Sequence, residues 1–319
     1  VKIAWLFPGQ GTQEVGMGKS VLEASPRARA VFERADRALT REDGSGAISP
    51  LCFEGPREAL TQTANTQPAI VTTSVAVLEA LREAVPELPL PSFAAGHSLG
   101  EYSALVAAGA LGLEDAVRLC RLRGEAMQAA VPEGEGAMAA IMGLDPDATA
   151  AVCVEAIGQT GEVLSPANFN APGQIVIAGH AAAVRRAIEL VATRGGKAIP
   201  LAVSAPFHCA LMRPARDRLA QALGGVTVGA LAFPVIANVD AEPNTDAARV
   251  PELLVRQVDG AVQWVKTVER MAGEGVTHAL ELGPGKVLAG LTKRIAKSIK
   301  VLSVGDAQGL SAVRAFLST

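Results

Sequence analysis

The residues that invite chemistry begin at Gly96-His97-Ser98-Leu99-Gly100, a G-x-S-x-G element. It lies between a short apolar run at residues 92–95 and a helical pattern that starts at residue 99. In a strand, turn, helix context such a serine sits on a sharp, strained turn with its hydroxyl exposed. Glycine flanks it because a Cβ on either side would clash in so tight a bend. The N–H of Leu99, next in the chain, would face the oxyanion that forms when Ser98 attacks a carbonyl.

A serine hydroxyl is a weak nucleophile at its own pKa and needs a base within hydrogen-bond reach, normally histidine. The chain has four histidines. His97 adjoins the serine, but neighbouring side chains diverge on a tight turn, so it is expected in the core. His180 follows Gly179 and reads as a helix cap, and His278 precedes an apolar strand at residues 279–282. His208 is left, in a loop after Pro206, which should end a strand. A lone histidine is as readily structural, and elimination leaves both roles open.

A third residue stands out on the helical stretch at residues 113–130. Glu114, Arg118, Arg121, Glu125 and Gln128 form a polar stripe, and Ala116, Leu119, Cys120, Ala126, Met127 and Ala130 an apolar one. Arg123 is the one charge on the apolar stripe. A buried guanidinium must be paired, and its planar fork suits a carboxylate. Either an internal ion pair or an anionic ligand satisfies it, and the ion pair is the commoner solution. A fourth candidate, Gly18-Lys19-Ser20, ends like a phosphate-binding P-loop, but Gln13 stands where that loop requires glycine, so no nucleotide site is expected.

These residues need elements to hold them. Residues 1–7 read as a buried strand feeding the glycine-rich loop PGQGTQEVGMG, and residues 68–85 as a helix stopped by Pro86. After the break Pro132-Glu133-Gly134-Glu135-Gly136 the order changes. Strand 137–142, helix 146–157, strands 163–165 and 174–178, helix 181–193 and strand 198–203 follow, the β-α-β-β-α-β order of a ferredoxin-like unit. Helices and apolar strands then alternate to the end, as in an α/β layer fold. The expected architecture is a large α/β subdomain at residues 1–131 and 204–319, with an α+β unit inserted at 132–203.

The chain's 319 residues are ample for a core, and 49% hydrophobic content with 19% charged residues excludes a disordered chain. With 29 basic against 32 acidic residues, and only 8 Phe, 2 Trp and 1 Tyr, it lacks both the basic excess and the stacking surface of a nucleic-acid binder. Four scattered cysteines, Cys52, Cys120, Cys153 and Cys209, fit reduced thiols; neither a disulfide framework nor a metal site is indicated. No leader pattern and no run of ~20 apolar residues is visible, so the expected address is the cytoplasm, away from membranes.

The motifs FPGQGTQEVGMG, NTQPAI, GHSLGEYSAL, RLRGEAMQ, NFNAPGQ, SAPFHCALM and ELGPGKVLAGL, in this order, resemble the malonyl-CoA:acyl carrier protein transacylase family, acyltransferases of fatty acid and polyketide biosynthesis. The resemblance runs from the first strand to the last helix. It implies a hydrolase-like α/β part with a ferredoxin-like insertion. It also implies that Ser98 is the acylated nucleophile and His208 its base, oriented by the backbone carbonyl of Gln257, with the N–H groups of Gln10 and Leu99 as oxyanion hole. By the same likeness Arg123 clamps the malonyl carboxylate and Gln67 and Asn168 line the pocket; relatives that load branched units carry Tyr-Ala-Ser-His where this chain has Ala205-Pro206-Phe207-His208, so Phe207 favours malonyl over methylmalonyl.

The implied reaction is two-step transfer from malonyl-CoA, through a seryl acyl-enzyme, to the phosphopantetheine thiol of an acyl carrier protein, with no permanently bound cofactor. The alternative is a serine thioesterase or esterase using the same elbow. The implied carrier is small and acidic, and two basic surfaces stand ready for it. One is Arg185, Arg186, Arg194 and Lys197 on the inserted unit, which is favoured because that unit joins the chain just before His208. The other is a stripe of Lys286, Lys293, Lys297 and Lys300, if one helix carries all four.

Overall fold

The computed structural model describes residues 1–203 and 205–319. Its larger sheet has the order β10-β9-β1-β2-β7-β8, made of Lys300–Val304, His278–Leu282, Ile3–Phe7, Phe93–Gly96, Val235–Ile236 and Pro243–Asn244. The first five strands are parallel, with Phe7 opposite Gly96 and Leu6 opposite Glu281; only the edge strand β8 is antiparallel. A parallel sheet is covered on both faces, which explains why β1 is buried at every position. Trp5 and Phe7 point to one side, against the helices Pro26–Leu39, Thr63–Ala84 and Leu113–Ala129. Ala4 and Leu6 point to the other, against Trp264, Val268 and Leu288. In open α/β sheets ligands bind outside the carboxyl ends of the strands. That edge here carries the loop after Phe7 and the turn after Gly96.

The second sheet, β4-β5-β3-β6, is wholly antiparallel and comprises Leu164–Ala171, Gln174–His180, Gly136–Met142 and Lys197–Pro200. With helices Pro146–Ile157 and Ala181–Thr193 it has the strand order of a ferredoxin-like unit. Ala139, Ile141 and Ile177 pack on those two helices. Met138, Val176 and Ala178 face the opposite way, toward Cys209 and Phe207. The expected boundary at residue 204 lies outside the described residues.

Several elements differ from expectation for local reasons. β4 continues to Ala171, well beyond residue 165, because Ala167 and Phe169 exchange backbone hydrogen bonds with Val262 of the large unit (2.8 and 2.9 Å). Its register shifts on both sides of the Asn168-Phe169 step, bulges of the kind that re-aim side chains beside functional sites. β6 stops at Pro200 rather than running to residue 203. The helix of Pro68 begins five residues earlier, at Thr63, with the proline in its second turn. No helix among the described residues is long and apolar enough to cross a membrane.

Candidate active site

The elbow after β2 is built as the glycine spacing requires. A Cβ at Gly96 would stand 1.9 Å from the carbonyl of Gly100, and one at Gly100 would stand 2.2 Å from the Phe7 carbonyl oxygen. Between them Ser98 has φ 52°, a left-handed conformation that costs a residue with a side chain about 1–3 kcal/mol. The surroundings hold it there. Ser98 N–H donates to Asn238 Oδ1 (2.7 Å), and Asn238 Nδ2 donates to the Gly96 carbonyl (2.6 Å).

His208 meets the elbow. Ser98 Oγ lies 2.7 Å from His208 Nε2, and His208 Nδ1 lies 2.9 Å from the Gln257 carbonyl and 3.2 Å from that of Gly260. Two carbonyl acceptors fix the proton on Nδ1, which leaves Nε2 as the lone pair facing the serine. His208 is itself left-handed, φ 58°. Burial, then the charge of Arg123, push its pKa down to about 3, against the pull of the two carbonyls. The imidazole is therefore neutral over the working pH range, the state a base requires.

That shift has a consequence for stability. The unfolded chain takes up a proton on this histidine near pH 6.5, whereas the folded chain refuses it until about pH 3. The histidine's contribution is complete above pH 6.5 and is lost as pH falls toward 3, by up to about 1.4 kcal/mol per pH unit. Wild type should thus lose more stability between pH 7 and pH 5 than His208→Gln, measured by urea unfolding. Equal losses would show that the imidazole is not held neutral.

Arg123 is buried, as its place on the apolar stripe demands, yet among the described residues none of its hydrogen-bond partners is a carboxylate. Nη1 donates to Gln67 Oε1 (2.7 Å), and Nη2 donates to Gln257 Oε1 (2.9 Å) and Ser98 Oγ (3.0 Å). The Tyr102 ring centroid lies 5.8 Å from its guanidinium carbon, and Nε has no partner among the described residues. The internal ion pair, the commoner solution on sequence grounds, is therefore not what these contacts form. The guanidinium is positioned by neutral groups and keeps its charge available to an anion.

The cleft above these residues has a volume of about 810 Å³. Gln10, Gln67, Ser98, Arg123, Asn168 and His208 line it, with Phe207 among the apolar walls. Gln67, on the helix Thr63–Ala84, is tied to Thr63, whose hydroxyl donates to Gln10 Oε1 (2.9 Å). The backbone N–H groups of Gln10 and Leu99 make no hydrogen bond among the described residues, and Leu99 immediately precedes the helix Gly100–Ala107. Such amides suit a developing negative charge.

Two expectations for the histidines change. His97 is not a core residue; it lines the cleft, with Nε2 2.7 Å from Asn170 Oδ1 and its ring against Trp264. His180 occupies the cap position of its helix, but its ring accepts from Val163 N–H and caps nothing. Sequence reasoning also passed over Asn238 and Glu101, which hold the elbow from beneath. Glu101 is 2% exposed and accepts from Asn238 N–H (3.0 Å) and Gln257 Nε2 (2.8 Å). Burial raises its pKa to about 7 against those two hydrogen bonds. The available signal was a single charge in the otherwise uncharged run Gly100–Ala107.

Residues 4–311 match the model of the acyl transferase domain. The malonyl CoA-acyl carrier protein transacylase of Bacillus subtilis (strain 168) is 48% identical over 306 residues, spanning 96% of this chain and 94% of that protein. Its counterpart in Escherichia coli (strain K12) is 47% identical over 312 residues, 98% of each. Among solved structures, an acyl carrier protein S-malonyltransferase from Vibrio cholerae superposes with a TM-score of 0.93 at 46% identity, covering 98% of this chain and all of its own. A malonyl-transacylase in complex with its type II PKS acyl-carrier protein gives 0.93 at 43%, covering both chains fully. Together with the elbow, its histidine and the buried Arg123, these matches place the chain in the acyl transferase family.

Proposed function

We propose that this protein is a malonyl-CoA:acyl carrier protein transacylase that works through Ser98. The observation that carries the reading is the contact of Arg123 Nη2 with Ser98 Oγ at 3.0 Å. In a malonyl ester the free carboxylate is separated from the acyl carbon by one methylene, so a cation this close to the nucleophile matches a short diacid. His208 takes the Ser98 proton as Oγ attacks the malonyl thioester, forming the C–O bond. The N–H groups of Gln10 and Leu99 receive the oxyanion, and the C–S bond breaks as His208 returns the proton to the coenzyme A thiolate. The phosphopantetheine thiol of the carrier then repeats these steps in reverse. Gln257 orients the base through its carbonyl, and Asn168 and Phe207 shape the wall where the acyl group lies.

The test is intact-mass analysis after mixing with malonyl-CoA, then with a carrier protein. One added malonyl group that moves to the carrier thiol is expected. Coenzyme A release at the same rate without carrier would identify a hydrolase instead. The arrangement needs only malonyl-CoA and the carrier's own phosphopantetheine. We place the inserted unit at residues 132–203, and the enzyme in the cytoplasm, a setting that suits its four free, buried cysteines.

The carrier must reach the cleft mouth, and the geometry reverses the preference between the two basic surfaces. Arg185 and Arg186 ride on Ala181–Thr193, a helix covering the face of the small sheet turned away from the cleft. Arg186 and Arg194 are also engaged by Glu162 and Glu155. The lysine stripe is not one helix either: Val287–Ile295 ends before Lys300, which opens β10 at the far edge of the sheet. Its near end remains suitable. Gly285 packs on Thr12 of the loop that carries Gln10, and Arg294 donates to Gln174 and Pro172 of the hairpin that follows Asn168. Lys286→Glu with Lys293→Glu should raise the apparent KM for the carrier severalfold and flatten its salt dependence, with a smaller change for malonyl-CoA. If Arg185→Glu with Arg186→Glu does this instead, docking belongs to the inserted unit.

A further inference from the structure

Glu101 takes no part in the steps above, yet it is a buried carboxylate three residues past the nucleophile. We propose that Glu101 is a positioning residue for acyl-group selection: it fixes which way the Gln257 amide is turned, and through that amide the direction of the Arg123 guanidinium. The proposal rests on the reading of Arg123 as the carboxylate clamp.

A glutamine amide fits its site in two orientations of nearly equal shape, with donor and acceptor exchanged. What faces it decides between them. Gln257 Nε2 donates to Glu101 Oε2 (2.8 Å) and to the Ser98 carbonyl (2.9 Å), while Oε1 accepts from Arg123 Nη2 (2.9 Å). The opposite orientation would set Oε1 against the Glu101 oxygen and the Ser98 carbonyl and an N–H against the guanidinium, three like-for-like contacts in a buried site. Glu101 Oε2 also accepts from Asn238 N–H, so a proton on this carboxyl would sit on the other oxygen and leave Oε2 an acceptor.

The order of contacts is thus Glu101 to Gln257 to Arg123, and among the described residues Arg123 has no carboxylate hydrogen-bond partner of its own. Without Glu101, one of the three groups within 2.9 Å that demand the present amide orientation is gone, and the only side-chain acceptor among them with it. An amide free to turn would present N–H to Nη2 part of the time and push the guanidinium off the line on which the substrate carboxylate arrives. The loss would fall on malonyl loading, because acetyl has no carboxylate to misplace.

The test compares malonyl-CoA with acetyl-CoA as donors for loading Ser98, as a ratio of kcat/KM values, in wild type and three variants. Glu101→Gln keeps an acceptor of the same shape and should hold the ratio within about threefold. Glu101→Asp withdraws the acceptor by one methylene, and Glu101→Ala removes it; each should lower the ratio tenfold or more, chiefly through a higher KM for malonyl-CoA. A purely structural role would slow both donors equally and leave the ratio unchanged, which would overturn the proposal. So would a Gln variant that falls as far as the Ala variant, or one that does not fold by circular dichroism. If only the Ala variant fails to fold, the Asp and Gln variants decide. Failure of wild type to load malonyl at all would instead reject the underlying reading of function.

Discussion

Ser98→Ala should abolish both the malonyl adduct and transfer to the carrier, with no residual labelling by intact mass. Ser98 is where a hydroxyl, a neutral imidazole and a guanidinium converge within 3.0 Å. Removing Oγ removes the atom that forms the ester, so the loss should reach the uncatalysed background. His208→Ala should leave a folded protein that still binds malonyl-CoA but loads it on the order of 10²–10⁴ times more slowly, the usual worth of a positioned base. Labelling that persists in Ser98→Ala, or maps to Ser103, would remove the nucleophile assignment.

The second large effect is one of selectivity. Arg123→Ala should cost malonyl loading far more than acetyl loading. A charge-assisted bidentate pair shielded from water contributes on the order of 2–5 kcal/mol to the donor that has the carboxylate. By kcat/KM the malonyl preference should therefore fall by about 30-fold to several thousandfold. The neutral partners Gln67 and Gln257 make the expectation sharp: losing a guanidinium held by amides strands no buried counter-charge at hydrogen-bond distance. Equal losses for both donors with a lowered melting temperature would reassign Arg123 to the framework.

Ser98 and Arg123 were legible in the sequence because each carries a local signal. The first is bracketed by glycines that only a tight turn requires. The second breaks the apolar periodicity of a helix whose ends, Leu113 and Ala129, were read to within one residue. The helices Pro146–Ile157 and Ala181–Thr193 were equally plain, being bounded by Asp-Pro at one start and by glycines. What stayed hidden depends on contacts across long stretches of chain. The groups that orient His208 are the backbone carbonyls of Gln257 and Gly260, and a carbonyl leaves no mark on residue type. Resemblance to a family pointed to Gln257; periodicity could not. The second half of β4 is polar at Asn168 and Asn170 and reads as loop, and it becomes strand only because β5 and Val262 supply its hydrogen bonds.

The two residues proposed to react share an uncommon backbone state: both Ser98 and His208 lie at positive φ, among only three described residues other than glycine that do. Glycine adopts that conformation without steric penalty. At these two positions, then, the backbone alone favours a residue that cannot perform the reaction. Serine and histidine there carry a backbone cost of about 1–3 kcal/mol each, a toll on stability that the proposed chemistry alone accounts for.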